Sequence, residues 1–289
     1  MPQNAPRPAG LRNGGRQRFV TSAMRRSDEV RSADGTAWAG LFAELDSWAT
    51  AGRTATLWWR DDDADGASPA LTRLLTLQQR TGIPLALAVV PARLDPSLAT
   101  LITSYESVSV LQHGYSHANF AAEGERKIEL DGSRPATYAI ADLAVGQQTL
   151  AALPGWQPVL VPPWNRIAPH LVPLLPELGY RGLSTLGARD RRIAVRGLVR
   201  NNVHVDPIDW RGRHGQPGCF AGEAAALDML THHLRDRREG RADADEASGL
   251  MTHHKVQDAA VWDFVEHLIA TTTAHPAVRW CAASELFAP

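Results

Sequence analysis

Two cysteines, Cys219 and Cys281, are all that the 289 residues contain, and neither stands in a Cys-x-x-Cys pair. That argues against a cysteine zinc knuckle and against a disulfide framework. The chain also lacks an excess of charge of either sign. Its 30 Lys and Arg nearly balance 31 Asp and Glu, for a formal net charge of -1. No global field therefore draws it towards nucleic acid or an anionic membrane. No apolar run approaches the roughly 18 residues needed to span a bilayer. The first residues lack the apolar stretch of a secretion signal. Instead they carry Arg7, Arg12, Arg16, Arg18, Arg25, Arg26 and Arg31. This composition predicts a disordered Arg-rich tail over 1–35, followed by one catalytic domain over 36–289. The expectation is a cytoplasmic protein with neither a nucleic-acid nor a membrane partner.

Apolar residues are not scarce. At 44% hydrophobic and 21% charged, the chain has the make-up of a globular protein with a sizeable core. Trp38, Leu41, Phe42, Leu45 and Trp48 recur at helical spacing, and Gly52 ends the pattern. Strands are expected at 54–59, 84–90, 107–111, 157–161, 180–184, 203–205, 249–252 and 278–280. Helices are expected at 69–81, 96–104, 138–152, 169–178, 221–237 and 258–274. Strands alternating with helices argue for parallel βαβ units, and about eight of them suggest a (β/α)-barrel. An open doubly wound sheet is the alternative. The polar stretch 118–137 is too long for a tight connection and reads as a lid or substrate clamp, with Lys127 and Glu129. The charged run 235–247 reads as a solvated excursion.

Five segments with chemical potential follow predicted strands, where parallel α/β folds place their active sites. Arg60-Asp61-Asp62-Asp63 sets three carboxylates in a row. A divalent cation or a shared proton would relieve their repulsion, and a solvated acidic turn is the plain alternative. His113 and His117 stand four apart, and a helical turn between them would put both rings on one face. Pro162 and Pro163 stiffen a loop carrying Trp164 as a wall, with Asn165 and Arg166 in reach of a substrate. Asp206, Asp209 and Trp210 follow a fourth strand, with Trp210 suited to a sugar face. His253 and His254 follow the fifth, and a histidine there suits general-acid work. The other histidines, His233 among them, read as surface or packing residues. One Asp and two His form a triad with open coordination positions, suited to zinc and also to cobalt, nickel or iron.

In this order the five segments resemble the polysaccharide deacetylases with a nodulation-protein-B homology domain, over roughly residues 54–282. The resemblance implies a distorted (β/α)-barrel of about seven or eight parallel strands and a divalent metal, zinc foremost. The substrate it implies is an acetylated sugar or polysaccharide, losing an N-acetyl or O-acetyl group. It implies His113 and His117 as metal ligands, a groove lined by the Pro162-Pro163 loop, a fourth motif of Asp206, Asp209 and Trp210, and His253 as general acid; Trp164, Asn165 and Arg166 are added to the substrate-binding set from the loop's own residues. The Asp cluster allows two registers. The preferred one reads Arg60-x-Asp62-Asp63, with Asp62 as base and Asp63 as ligand; the alternative makes Asp61 the base and Asp62 the ligand. Two departures stand out. Val161 occupies the place of an arginine that pairs with the base, leaving Arg60 or Arg166 to substitute. His254 follows the catalytic histidine where the family has Asp. A metal amidohydrolase acting on a small amide and a non-catalytic sugar-binding protein are the competing readings.

Overall fold

Ser68, Pro69 and Gly82 show how local chemistry sets the elements. The Ser68 hydroxyl accepts the Leu71 N–H at 3.1 Å, Pro69 opens the helix, and Gly82 closes it at φ 68. The first orphan donors and the left-handed stop are thus met by the residue types suited to each. The result is α2 (Pro69–Thr81). The structure, a computed structural model, describes residues 35–212 and 216–288. Residues 1–34 of the predicted tail lie outside the described residues.

A helix over 35–50, α1, comes first. It leads to β1 (Ala55–Ala64), α2, β2 (Leu85–Val89), α3 (Ser97–Ile102), β3 (Val108–His113), α4 (Ala136–Leu150) and β4 (Trp156–Val161). The second half holds β5 (Gly182–Leu183), β6 (Ile193–Val195), β7 (Leu198–Arg200), β8 (Ile208–Asp209), β9 (Cys219–Phe220) and α5 (Glu223–Glu239). After these come β10 (Ser248–Thr252), α6 (Ala259–Thr273), β11 (Val278–Trp280) and α7 (Ala283–Leu286). The main sheet runs β10-β1-β2-β3-β4-β5-β7-β6, with β11 also on β1. Every pairing in it is parallel except the β6–β7 hairpin. The expected strand at 203–205 is a pair of parallel bridges, Leu186 to Val203 and Val205 to Leu250. They link the β5 side back to β10, so the distorted (β/α)-barrel is closed there by bridges rather than by a full ladder. The expected helix at 169–178 is a 3-10 turn over Pro169–Leu174, with Pro173 inside it. Proline withholds the N–H that an α-helix needs there.

Strand alternation divides the core. Trp58, Ala86, Ala88, Leu111, Val159, Val161, Val203 and Met251 form one buried cluster inside the barrel. Leu57, Trp59, Leu85, Leu87, Val89 and Val110 face outward beneath α2, α5 and α6. Trp58 donates its Nε1–H to the Asn202 carbonyl at 2.9 Å. A Cβ on Gly249 would lie 2.4 Å from that nitrogen. Glycine is therefore required where β10 passes Trp58.

The run 235–247 is not wholly solvated, and this corrects the sequence expectation. Glu246 is fully buried and accepts the Arg189 N–H at 2.8 Å and the Asn202 N–H at 3.0 Å. His204 Nε2 and His233 Nε2 approach its Oε2 at 3.4 and 3.7 Å, and the two rings stack at 3.4 Å. These three side chains have the proximity of a metal site. However, His204 Nδ1 accepts the Gly249 N–H at 2.9 Å. A neutral ring then carries its proton on Nε2, so that atom faces the Glu246 carboxylate as an N–H and not as a metal ligand. The cluster is a buried anchor that ties 189–204 to β10. Burial, reinforced by His233 against the pull of Glu246, pushes His204 down to about 4. The unfolded value is about 6.5, so the unfolded chain takes up the proton first as pH falls. The contribution of neutral His204 is complete above about pH 6.5 and is lost as pH falls towards 4. Thermal unfolding midpoints should drop across that window. His204→Asn keeps an acceptor for Gly249, and it should lower the midpoint at pH 7 while flattening the slope. An unchanged slope would remove this cluster as the cause.

Candidate metal centre

The three consecutive aspartates at the end of β1 meet three different partners. Alternation points Arg60 and Asp62 into the barrel and Asp61 outward. Asp61 is fully buried and accepts the Thr252 hydroxyl at 2.7 Å, the His254 N–H at 3.0 Å and His254 Nδ1 at 2.5 Å. Asp62 receives a two-pronged contact from Arg60, Nε to Oδ1 and Nη2 to Oδ2, both at 2.8 Å. The Arg60 guanidinium is held in turn by Ser184 Oγ at 2.7 Å and Asn165 Oδ1 at 2.6 Å. Asp63 leaves the strand conformation at φ 75. A positive φ is uncommon outside glycine, though Asp tolerates it better than most, and here it turns the side chain off the strand towards the histidines. Its Oδ1 lies 3.2 Å from His113 Nε2 and 3.3 Å from His117 Nε2.

The two histidines converge by another route than the helical turn expected from their spacing. His113 ends β3, Gly114 follows at φ 56, and His117 itself is at φ 57. The segment is an irregular turn wrapped around one carboxylate. Glu129 Oε1 accepts the N–H groups of Ser116 at 2.7 Å and His117 at 3.1 Å, and the Ser116 hydroxyl at 3.0 Å. Its Oε2 accepts the Tyr115 N–H at 3.2 Å. A Cβ at position 114 would strike Glu129 and Pro163, so the glycine is obligatory. Glu129 is buried and faces the turn, so it is not placed as the substrate clamp expected of it.

The donor set fits a divalent cation. Two ligand atoms each about 2.1 Å from one ion at a tetrahedral angle stand about 3.4 Å apart, close to the spacings around Asp63. His113 donates Nδ1–H to the Val161 carbonyl at 3.0 Å, which leaves the Nε2 lone pair facing Asp63. Burial would raise the Asp63 carboxyl, but the hydrogen bond and charge of His113, with His253 and His117, hold it well below the usual range. Burial would lower His113, but Asp63 and Asp62 outweigh that and raise it. His117 is lowered by burial and by the neighbouring His113.

The remaining residues ring this point. The Trp164 ring lies 4.3 Å from His117, with Trp164 and Asn165 both left-handed at φ 54 and 57. Trp210 stands edge-on to His253 at 4.9 Å and donates Nε1–H to Asp206 at 2.8 Å. His253 Nδ1 is buried without a hydrogen-bond partner among the described residues. Asp209 is buried and accepts the Arg211 N–H at 3.1 Å. Asn165 is turned to Arg60, and Arg166 donates to the Lys127 carbonyl at 2.6 Å, so Arg60 and not Arg166 sits on Asp62. Pro163 is buried against Gly114. Sequence reasoning missed Ser184, Thr252 and Met251. Of these, Thr252 alone had a signal, as the outward neighbour of His253 at a strand end.

Among solved structures, a CE4 esterase of Streptococcus mutans superposes with a TM-score of 0.51 at 11% identity, covering 79% of this chain and 85% of that one. The chain has the CE4 carbohydrate-esterase fold. A mutant CE4-family pseudoenzyme with restored enzymatic activity matches the fold at a TM-score of 0.50 and 14% identity, over 81% of this chain and 68% of that one. A family 4 acetyl xylan esterase from Clostridium thermocellum, in complex with a cobalt ion, aligns at 0.47 and 16% identity, over 80% and 90%. No protein-family model and no curated protein matches the sequence. The CE4 likeness is thus one of fold, at identities that mark a divergent chain.

Glu129 gives this fold's candidate centre a sharp test. Glu129→Gln keeps the shape but removes the charge that three backbone N–H groups and a hydroxyl share. Zinc affinity, read by calorimetry, should fall about 10- to 100-fold, as for other groups that orient a ligand from behind. Retained affinity would mean that the turn holds itself.

Proposed function

We propose that the chain is a metal-dependent deacetylase that hydrolyses the N-acetyl or O-acetyl group of a sugar or polysaccharide. The observation that carries this reading is the convergence of Asp63, His113 and His117 beside an Arg60-held Asp62, with His253 nearby. The CE4 fold supports it, because the five segments fall at one end of that barrel. Asp63, His113 and His117 would hold the cation, with zinc the best match to two imidazoles and a carboxylate. Bound there, it would supply Lewis acidity towards the acyl oxygen and a water acidified to near neutrality.

The chain's own groups account for the remaining steps. Asp62 is the base that removes the proton of the attacking water. Its two contacts with Arg60 fix the plane of the carboxylate and leave further lone pairs free to accept. Arg60 is itself fixed by Ser184 and Asn165, so the base is positioned before substrate arrives. His253, between Trp210 and the charges of Asp63 and Asp206, protonates the departing nitrogen or oxygen. Trp164 walls the site beside His117, and Trp210 offers a half-exposed ring to a sugar face.

Asp62→Asn should cost acetate release about 100-fold or more, the scale of a lost general base, while zinc content stays near one ion per chain. Asp61→Asn should instead lower thermal stability, because Asp61 serves Thr252 and His254. A full loss of turnover in Asp61→Asn with a wild-type rate in Asp62→Asn would reverse the register and sink this assignment. Release of ammonia or ring opening without acetate would favour the amidohydrolase reading.

A further inference from the structure

Next to the metal centre lies a second space that the deacetylation chemistry does not use. A cavity of about 700 Å³ is lined by Asn165, Arg166, Thr185, Arg191 and Arg200, with Asp190 and an apolar floor that includes Leu183 and Val172. It opens at the same end of the barrel as the centre, because Leu183 and Arg200 end β5 and β7. Asn165 belongs to both places, since its side chain accepts from Arg60 while its residue lines the cavity. The space therefore lies where the part of a substrate beyond its acetyl group would extend. Its volume suits a small ligand or one or two sugar units.

Its charges do not balance. Three guanidiniums line it against one carboxylate. Asp190 is shared by Arg200 at 2.8 Å and Arg191 at 3.5 Å. Arg166 uses one N–H on the Lys127 carbonyl and meets no acid among the described residues. The rest of its planar fork is free to bind. Arg126 and Arg211 stand close enough to repel it, and with burial they hold its guanidinium below the usual range. Arg211 adjoins Trp210 and Arg126 adjoins Lys127, so cations gather from two sides of the centre. Like charges that outnumber the acids across a cleft are unfavourable until an anion lies between them.

We propose that this cavity receives an anionic group, a carboxylate or a phosphate, carried by the acetylated substrate, with Arg166 as its principal partner. The inference deepens the deacetylase reading and rests on it for the position of the acetyl group. The substrate class is accordingly an acidic or phosphorylated N-acetyl sugar and not a neutral one.

The test compares three sugars on the full zinc-supplied chain: N-acetylglucosamine, its 6-phosphate, and its 3-O-lactyl acid. Acetate release gives kcat/KM, and calorimetry gives Kd. One or both charged sugars should be preferred about tenfold or more over the neutral one, the scale of one charge-assisted hydrogen bond. Which of them is preferred separates phosphate from carboxylate. The preference should shrink between 20 and 500 mM NaCl, as screening requires. It should collapse in Arg166→Gln, whose thermal midpoint should match the wild type. Arg191→Gln is a second variant that should narrow the preference. Equal Kd values for charged and neutral sugars would overturn the proposal, and so would a preference that survives both substitutions. Selective binding without acetate release would instead retire the deacetylase reading and keep the anion site. Acetate release without selectivity would do the reverse.

Discussion

Like charges on adjacent residues cannot share one environment cheaply. At about 4 Å and an effective dielectric near 20, a pair of them costs about 4 kcal/mol. Asp61, Asp62 and Asp63 escape this because the backbone sends them apart. Alternation in β1 places Asp61 and Asp62 on opposite faces, and the left-handed residue Asp63 turns away from both. Each then finds its own positive or proton-donating partner: His254 with Thr252, Arg60, and the pair His113 and His117. The separation makes the three acids chemically distinct. One is sealed in the wall, one is oriented inside the barrel, and one is left open to a cation. The placement of Arg60, Thr252 and His254 around the site follows from that sorting.

The loops bearing the site are pinned by the same kind of contact. Glu129 and Glu246 are both buried acids whose partners are largely backbone N–H groups. A carboxylate is well suited to this, since it offers about four acceptor positions to donors that would otherwise be buried unsatisfied. Glu129 shapes the turn from His113 to His117, and Glu246 ties 189–204 to β10. Neither loop could be fixed as well by apolar packing, because irregular backbone carries polar groups that a dry core would strand. Precision of the candidate ligands is thus set locally by charge, while the barrel itself stands on apolar layers.

How far the sequence foretold this depends on the range of the interaction involved. The apolar runs of β1, β2, β3, β4 and β10 were legible, as was α2 between Ser68-Pro69 and Gly82, because their causes lie within a few residues. The β6–β7 hairpin was not, since strands of three residues leave no period to read, and of the strand expected at 180–184 only Gly182 and Leu183 pair, as β5. His113 and His117 were legible as a pair, but for a reason that does not hold. Their four-residue spacing suggested a helical face, whereas the turn is organised by Glu129 twelve to fourteen residues away. Glu246 and His233 were passed over because one lay in a charged run and the other in a helix, and only the tertiary fold puts them beside His204. The Arg60 partnership was half legible. Residues two apart on a strand share a face, which favours Arg60 over Arg166, but only the contacts of Ser184 and Asn165 show what holds it there.

Val161 brings these threads together. Its carbonyl holds His113, and its side chain lies in the barrel cluster with Trp58 and Met251. An arginine at 161 would send a second guanidinium into the space that faces Asp62, where Arg60 is already fully buried and fixed by three partners. Two such cations against one carboxylate would leave one of them desolvated and unpaired, an expensive state. Arg60 on the first strand, two residues from Asp62, thus supplies the guanidinium contact that the resemblance expects from position 161. The absence of an arginine at the head of the Pro162-Pro163 loop is then no argument for an idle site, since the contact it would make is present by another route.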